Sequence, residues 1–404
     1  MEQFTIVKAL TGSPIPGKRV VCGVVGSGNL EVIVEPNATK DAAKFVITTS
    51  VPHYQVLWSS VIEAFVNHYK PVGLSFTIND NGAAPPTVAL RLRQAFERFQ
   101  GYEKIGNDYL ELDARHRIAS LLDKDSFKEW LADKPYYSPH LSALDISSEA
   151  DDGLVIGVGL LSGQRVLIAA QQKDFLGGAV GEIHGAKLTG LFKQAIALEI
   201  ATVILLIDSG GVRLQEANAG EIGISETIRA IFAARAKGVI TMGVICGKNG
   251  AYGGMGIIST CLDYLLVDEI GRTGVSGAEV IQTVKGVEAF DAANRPLIWR
   301  VYGGKTRFLQ HIADCFVDGS IQSIRQALIH RLELGAPVKT LLEQARCQQR
   351  LLQRRVDSTQ GCQDEGEYLT HLASPYADTL FEMHTADFLE AAASLRGSSP
   401  LKGD

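Results

Sequence analysis

Over the first hundred residues, short apolar runs alternate with polar turns at the spacing of strands. Runs at Phe4–Ala9, Arg19–Val25, Leu30–Val34 and Lys44–Thr49 each read as a strand. The segment HYQVLWSSVIEAFVNHY (53–69) changes to a helical period, with apolar Val56, Leu57, Val61, Ala64, Phe65 and Tyr69 on one side. Gly73–Asn79 reads as a further strand, and Asn79-Asp80-Asn81-Gly82 as a turn. Pro85-Pro86 then precede a helix of mixed charge, TVALRLRQAFERF. These elements predict a small α/β unit over residues 1–100, and the polar stretch that follows predicts a linker over 101–110.

A second pattern begins at residue 111. ARHRIASLLDKDSFKEWL (114–131) reads as one amphipathic segment, and apolar runs at 154–160 and 165–170 flank a hairpin turn, Leu161-Ser162-Gly163-Gln164. From there to about residue 320, strand, glycine turn and helix alternate, which predicts an α/β core within a domain over 111–334. After Gly335 the composition shifts. VKTLLEQARCQQRLLQRRV (338–356) is amphipathic and basic, 358–367 reads as a loop, 378–396 as a last helix, and GSSPLKGD as a frayed tail. Residues 335–404 are therefore expected to form a helical C-terminal extension, with Arg346, Arg350, Arg354 and Arg355 available to an acidic partner or simply solvated.

Composition narrows the function classes. With 404 residues the chain is long enough for two or three domains. A net charge of −6 argues against nucleic acid or an anionic membrane as the main partner. No apolar run is long enough to span a bilayer, and MEQFTIVKAL lacks the pattern of a secretory signal. Six scattered cysteines without a CxxC pair predict reduced thiols, no metal site and a cytoplasmic protein.

Three glycine-rich stretches carry the candidate chemistry. Asp208-Ser209-Gly210-Gly211-Val212-Arg213 follows the apolar run TVILLI (202–207), and Gly247–Gly256 follows VITMGVI (239–245). Paired glycines leave backbone N–H groups open to close approach, and at a helix N-terminus those groups lie at the positive end of the dipole. Two such turns side by side would make an oxyanion hole for a thioester whose oxygen becomes an enolate. Glycines that merely permit tight strand–helix packing would look the same one turn at a time. The third stretch, Phe175–Gly181, precedes a helix-like segment bearing His184 and Lys187. Near the N-terminus, Val25-Gly26-Ser27-Gly28-Asn29 sets Ser27 between glycines, as an ordinary turn tip or as an exposed attachment point.

The segment VGSG-LEV, the helix after it, and Ile78–Ala83 with ALRL resemble the acyl carrier (δ) subunit of malonate decarboxylase. Residues about 111–320 resemble the β-type half of carboxyltransferases, most closely the β subunit of malonate decarboxylase. That likeness rests on Ala114–Ile118, Gly177–Gly181, DSGGVRLQEAN (208–218), GAYGGMG (250–256) and Gly271–Gly274. The resemblance implies an α/β chain of two parts, a small acyl-carrier domain and a crotonase-like domain of stacked ββα units. It implies a 2'-(5''-phosphoribosyl)-3'-dephospho-CoA arm bound covalently to Ser27. Asn29 stands where an acidic residue is usual. The resemblance further implies a thioester pocket built on Gly210, Gly211, Val212, Gly253 and Gly254, with Gly177, Gly178 and Lys187 along the arm's channel. The implied partners are a γ-type crotonase-like decarboxylase subunit, an α-type acetyl:malonate acyl-carrier transferase, a malonyl transferase, and the enzymes that make and attach the arm.

Decarboxylation of a malonyl thioester disperses the charge of a localised carboxylate into an enolate. A cation gripping that carboxylate would favour the ground state, so Arg213 is expected to be structural. Two other readings stand beside decarboxylation: a carboxyltransferase subunit that passes CO2 to a separate biotin protein, and a non-catalytic carrier and scaffold. No lysine lies in an Ala-Met-Lys-Met setting, so no biotin is expected on this chain.

Overall fold

The computed structural model describes residues 1–102, 108–132, 134–336, 340–363, 365–377 and 379–398. The linker positions 103–107, the first two residues of the anticipated basic helix (338–339), loop residue 364, residue 378 and the tail from 399 lie outside the described residues. The chain forms two compact units.

The first unit holds a five-stranded sheet made of β1 (Glu2–Ala9), β2 (Val20–Gly23), β3 (Leu30–Pro36), β4 (Ala42–Thr49) and β5 (Leu74–Asp80). Their order is β1-β4-β5-β3-β2. Only β4 and β5 run parallel, because the helix Gln55–Tyr69 carries the chain across between them. The other helix, Pro85–Phe99, begins with the proline pair in its first turn, where a missing N–H costs nothing. Alternate residues of β3, β4 and β5 point into the core, and both helices present their apolar sides to it. Four phenylalanines interlock there. Phe45 stacks on Phe76 at 4.7 Å, while Phe65 meets Phe76 and Phe96 edge-on at 5.5 and 5.9 Å.

This unit is not a continuous stretch of chain. It also contains Ala292–Val301 and Glu365–Ser394, segments that the sequence pattern assigns to the second domain and to the C-terminal extension. Side chains explain the difference: the Tyr54 hydroxyl donates to Asn294 Oδ1 at 3.2 Å, and His68 stacks on His384 at 3.7 Å.

The second unit holds seven strands in unbroken sequential order, β6 (Lys128–Trp130), β7 (Leu154–Leu161), β8 (Gln164–Gln171), β9 (Thr202–Leu206), β10 (Ile240–Ile245), β11 (Tyr264–Val267) and β12 (Cys315–Phe316). β6, β7 and β8 are antiparallel, and β8 to β12 are parallel. The β7–β8 hairpin closes on Ser162 and Gly163, both at positive φ (51° and 76°), as a two-residue hairpin turn requires. The parallel strands are joined by helices that include Glu182–Ala197, Asn218–Ala236 and Gly253–Thr260. β9 and β10 are buried at every position, as expected of strands covered on both faces. The amphipathic segment 114–131 is not one helix. It stops at Leu121, turns through Asp125 at φ 56°, and re-forms as β6.

Phe65 touches the aromatic cluster from helix Gln55–Tyr69 and is 5% exposed. Phe65→Ala should destabilise the first unit by about 3–5 kcal/mol, read as a lowered urea midpoint.

Candidate active site

The first glycine turn leaves β9 through Asp208, which is fully buried. Its backbone N–H donates to Gln171 Oε1 at 3.0 Å. One carboxylate oxygen accepts from Arg117 Nη1 at 2.8 Å, and the other from the Asn249 N–H at 2.6 Å. Arg117 comes from helix Ala114–Leu121, whose first turn is capped by Asp113. Its Nε donates to the Tyr109 carbonyl at 3.1 Å. One carboxylate therefore ties three things together: the helix that opens the domain, the first glycine turn and the second. Two glycines make room for it. A Cβ at Gly247 would strike the Asp208 carboxylate, and one at Gly178 would strike the Asp208 carbonyl oxygen.

The two turns lie against each other. Ser209 N–H donates to the Gly250 carbonyl at 2.7 Å, and Tyr252 N–H returns to Ser209 O at 3.1 Å. Gly211 (φ 134°) and Gly253 (φ 53°) form the contact, and a Cβ on Gly253 would lie 3.3 Å from Gly211 Cα. Both positions need glycine for conformation and for approach.

The N–H groups of these turns divide in two. Those of Gly210, Gly211 and Gly253 are used internally, on Gly177 O at 2.9 Å, Ser209 Oγ at 3.2 Å and Val275 O at 3.0 Å. Those of Val212 and Gly254 have no partner among the described residues. Val212 N lies 3.8 Å from the Cβ position of Gly253, beside the Gly211–Gly253 contact. Gly254 is the second residue of helix Gly253–Thr260, so its N–H belongs to the positive end of the helix. Of the five backbone positions expected from the sequence, two thus keep a donor to offer, and three spend theirs on holding the turns.

The neighbouring charged groups are committed. Arg213 is 1% exposed and donates to Asp152 Oδ1 (2.7 Å), Asp152 O (2.7 Å), Glu216 Oε1 (2.9 Å) and Ala179 O (3.0 Å). Gly181 admits this cluster, since a Cβ there would strike the guanidinium. His184 is fully buried, and burial with the nearby Arg213 and Lys187 holds it well below the usual imidazole range, so it is neutral. Its backbone N–H donates to Asp152 Oδ2 at 2.9 Å. Lys187 donates to the carbonyls of Asp151 and Leu154, and burial lowers its pKa. That ammonium is therefore a brace between helix Glu182–Ala197 and the start of β7, with its donors turned to backbone rather than to a phosphate. Gly177 and Gly178 adopt positive φ (65° and 68°) and back the first turn from behind, through the Gly177 carbonyl.

Ser27, in the first unit, is exposed at the tip of a four-residue turn closed by Asn29 N–H on Gly26 O at 2.9 Å. Gly28 takes φ 71° at the third position. The turn is pinned to its neighbour by Gly28 N–H on Asn81 O (2.9 Å) and Asn81 N–H on Asn29 O (3.1 Å). Ser27 itself is exposed, so a covalent group on the hydroxyl has room.

Comparison with known proteins matches both units. Residues 17–99 match the family described as malonate decarboxylase delta subunit (MdcD), and residues 111–296 match the carboxyl transferase domain. Over 82 residues the chain is 45% identical to the malonate decarboxylase acyl carrier protein of Acinetobacter calcoaceticus, covering 20% of this chain and 80% of that one. Over 236 residues it is 35% identical to malonyl-S-ACP:biotin-protein carboxyltransferase MADC of Malonomonas rubra, covering 54% of this chain and 73% of the relative. The chain belongs to the malonate decarboxylase family. It joins a carrier-type unit and a carboxyltransferase-type catalytic unit of that family in one polypeptide. Among solved structures, a Pseudomonas malonate decarboxylase hetero-tetramer in complex with malonate matches with TM-score 0.60 and 33% identity, covering 64% of this chain and 95% of that one. A Pseudomonas MdcD-MdcE hetero-dimer matches with TM-score 0.51 and 31% identity, covering 61% and 97%. The second unit is thus crotonase-like, and the carrier-type unit implies a phosphopantetheine-type arm. No helix among the described residues is long and apolar enough to cross a membrane.

Arg117→Met should leave the Asp208 carboxylate buried without its cation and cost about 3–5 kcal/mol, measured by chemical denaturation. A second outcome concerns pH. Asp268, fully buried below the second turn, accepts from the Ile270 and Gly271 N–H groups at 2.9 and 2.7 Å, yet burial pushes it up to about 7. Between about pH 4 and 7 the folded chain keeps a proton at Asp268 that the unfolded chain has released, so stability falls as pH rises through that window. Asp268→Asn should lack this part of the decline when melting temperature is followed against pH.

Proposed function

We propose that this chain carries a malonyl thioester on Ser27 and decarboxylates it at the contact between its two glycine turns. The observation that supports this reading is the pair of open N–H groups, Val212 and Gly254, beside the Gly211–Gly253 contact. The proposed arm, 2'-(5''-phosphoribosyl)-3'-dephospho-CoA, supplies a terminal thiol on which the acyl group is presented. Val212 and Gly254 then donate to the thioester oxygen, where negative charge grows as CO2 leaves. Fixed backbone donors need no reorganisation at that moment. Arg213 is spent on Asp152 and Glu216, so it does not hold the departing carboxylate in place, which agrees with stabilising the transition state rather than the ground state. His184, buried and neutral, is not assigned the final protonation.

A γ-type crotonase-like subunit completes the site in this reading. Large apolar side chains near the second turn are left uncovered by this chain, among them Val275, Val280 and Val284 at 63%, 56% and 82% exposure. A partner surface would bury them. An α-type transferase, a malonyl transferase and arm-attaching enzymes would load Ser27. A second reading has one observation in its favour, the likeness to a relative named as a biotin-protein carboxyltransferase: CO2 would pass to a separate biotin protein. Inhibition of the assembled complex by avidin would select that reading, and full turnover with avidin would select direct release.

Mass spectrometry of the Ser27 peptide, from protein made in its native host on malonate, should show the CoA-derived adduct. An unmodified Ser27 would refute the carrier role. At the second site, Gly210→Val introduces a side chain whose Cβ meets only the Gly177 carbonyl, at 3.7 Å, so the variant should fold. The added side chain stands two residues before Val212 and should displace a thioester approaching that N–H, so malonyl-thioester decarboxylation should fall about a hundredfold, on the scale of a misplaced reacting group. Unchanged turnover would instead favour the scaffold role.

A further inference from the structure

Within the first unit, a shallow cleft of about 40 Å³ opens beside the Ser27 turn. Its walls are Tyr54, just before helix Gln55–Tyr69, with Leu57, Trp58 and Val61 from that helix and Pro85 from the start of the other, and Arg295 stands among its lining residues. Arg295 also stands over the turn itself. A Cβ at Gly28 would lie 2.9 Å from Arg295 Nη1, and one at Gly82 would lie 3.6 Å from its Nε. Among the described residues its guanidinium has no hydrogen-bond or ion-pair partner. Arg91, the other arginine near this turn, is engaged with Asn29 Oδ1 at 3.1 Å and Gln94 Oε1 at 2.7 Å. The Asp80 carboxylate on the cleft wall accepts from Thr49 Oγ1 at 2.6 Å and Ala83 N–H at 2.8 Å.

We infer that Arg295 pairs with the phosphodiester at Ser27 and that this cleft takes the edge of the arm's purine. The inference rests on Ser27 carrying that arm. A phosphodiester on Ser27 places one negative charge within reach of the open guanidinium, whose planar fork suits phosphate oxygens. Beyond the phosphodiester the proposed arm runs through one ribose before it reaches the adenosine and its purine. An apolar cleft with the half-buried Tyr54 on its wall and Trp58 buried at its floor offers it an aromatic edge, of the kind that packs against bases without reading them. Seating the nucleoside end shortens the free part of the arm to the pantetheine stretch, which cuts the volume the thiol explores and raises its effective concentration at its targets.

The test compares loaded chain with Ser27→Ala chain by hydrogen–deuterium exchange, with Ser27 occupancy measured by intact mass. Loading should slow amide exchange at residues 54–61 and 292–298 by at least about fivefold. In Arg295→Met and Leu57→Trp the occupancy should stay complete while that protection is lost. A fully loaded wild-type chain without protection at the cleft overturns the seat and leaves the carrier role intact. Retained protection in both variants overturns it equally. A chain with no adduct overturns the carrier role, and the seat falls with it.

Discussion

The site depends on one buried carboxylate. Asp208 lies two residues past the end of strand β9, where the first glycine turn starts, and its two oxygens reach Arg117 on one side and the backbone of the second turn on the other. Taking both ions of the Arg117–Asp208 pair out of water costs several kcal/mol each, and well-packed apolar residues would often be as stable. The pair is better understood as a register device. It sets the height of one turn relative to the other, and donors aimed at a developing oxyanion must be placed to within a fraction of an ångström. Gly247 and Gly178 follow from the same constraint, because any side chain on either would collide with Asp208.

A division of labour among backbone groups follows. A turn that offered every N–H outward would have none left to hold its own shape. Gly210, Gly211 and Gly253 give theirs to neighbouring backbone and to Ser209, and the shape they hold leaves the Val212 and Gly254 N–H groups without a partner among the described residues. The charged residues beside them behave likewise. Arg213 and Lys187 are absorbed by carbonyls and carboxylates within the domain, and the buried, neutral His184 ring meets Gln171, so in the proposed reading the chemistry falls to dipoles rather than to ionisable side chains.

Much of the architecture was legible in the chain. Period-two runs located β3, β4, β5, β7 and β8, the glycine pairs located both turns, and the VGSG stretch located the Ser27 turn. Local pattern failed wherever a partner distant in sequence decided the outcome. Residues 114–131 have helical amphipathicity throughout, yet 128–130 pair with β7. Lys187 looks like a solvated or phosphate-facing lysine until Asp151 and Leu154 bring their carbonyls to it from more than thirty residues away. Which N–H groups stay open is set by acceptors such as Val275 O and Gly177 O, and no feature of a glycine-rich motif records that. Arg295 is the extreme case, a residue of the carboxyltransferase stretch that belongs to the carrier-type unit.

That exchange of segments bears on how the molecule is made. The first unit draws on chain from Met1 to Ser394, in three pieces. During synthesis its sheet and two helices emerge early, but Ala292–Val301 follows only after Gly106–Asp291 of the second unit, and Glu365–Ser394 only after Tyr302–Asp364 as well. Nascent domains usually fold in the order they are made. Here the first domain to begin must wait for chain made after nearly all of the second, and a gene cut after residue 100 would yield a carrier lacking the residues that border its own attachment turn.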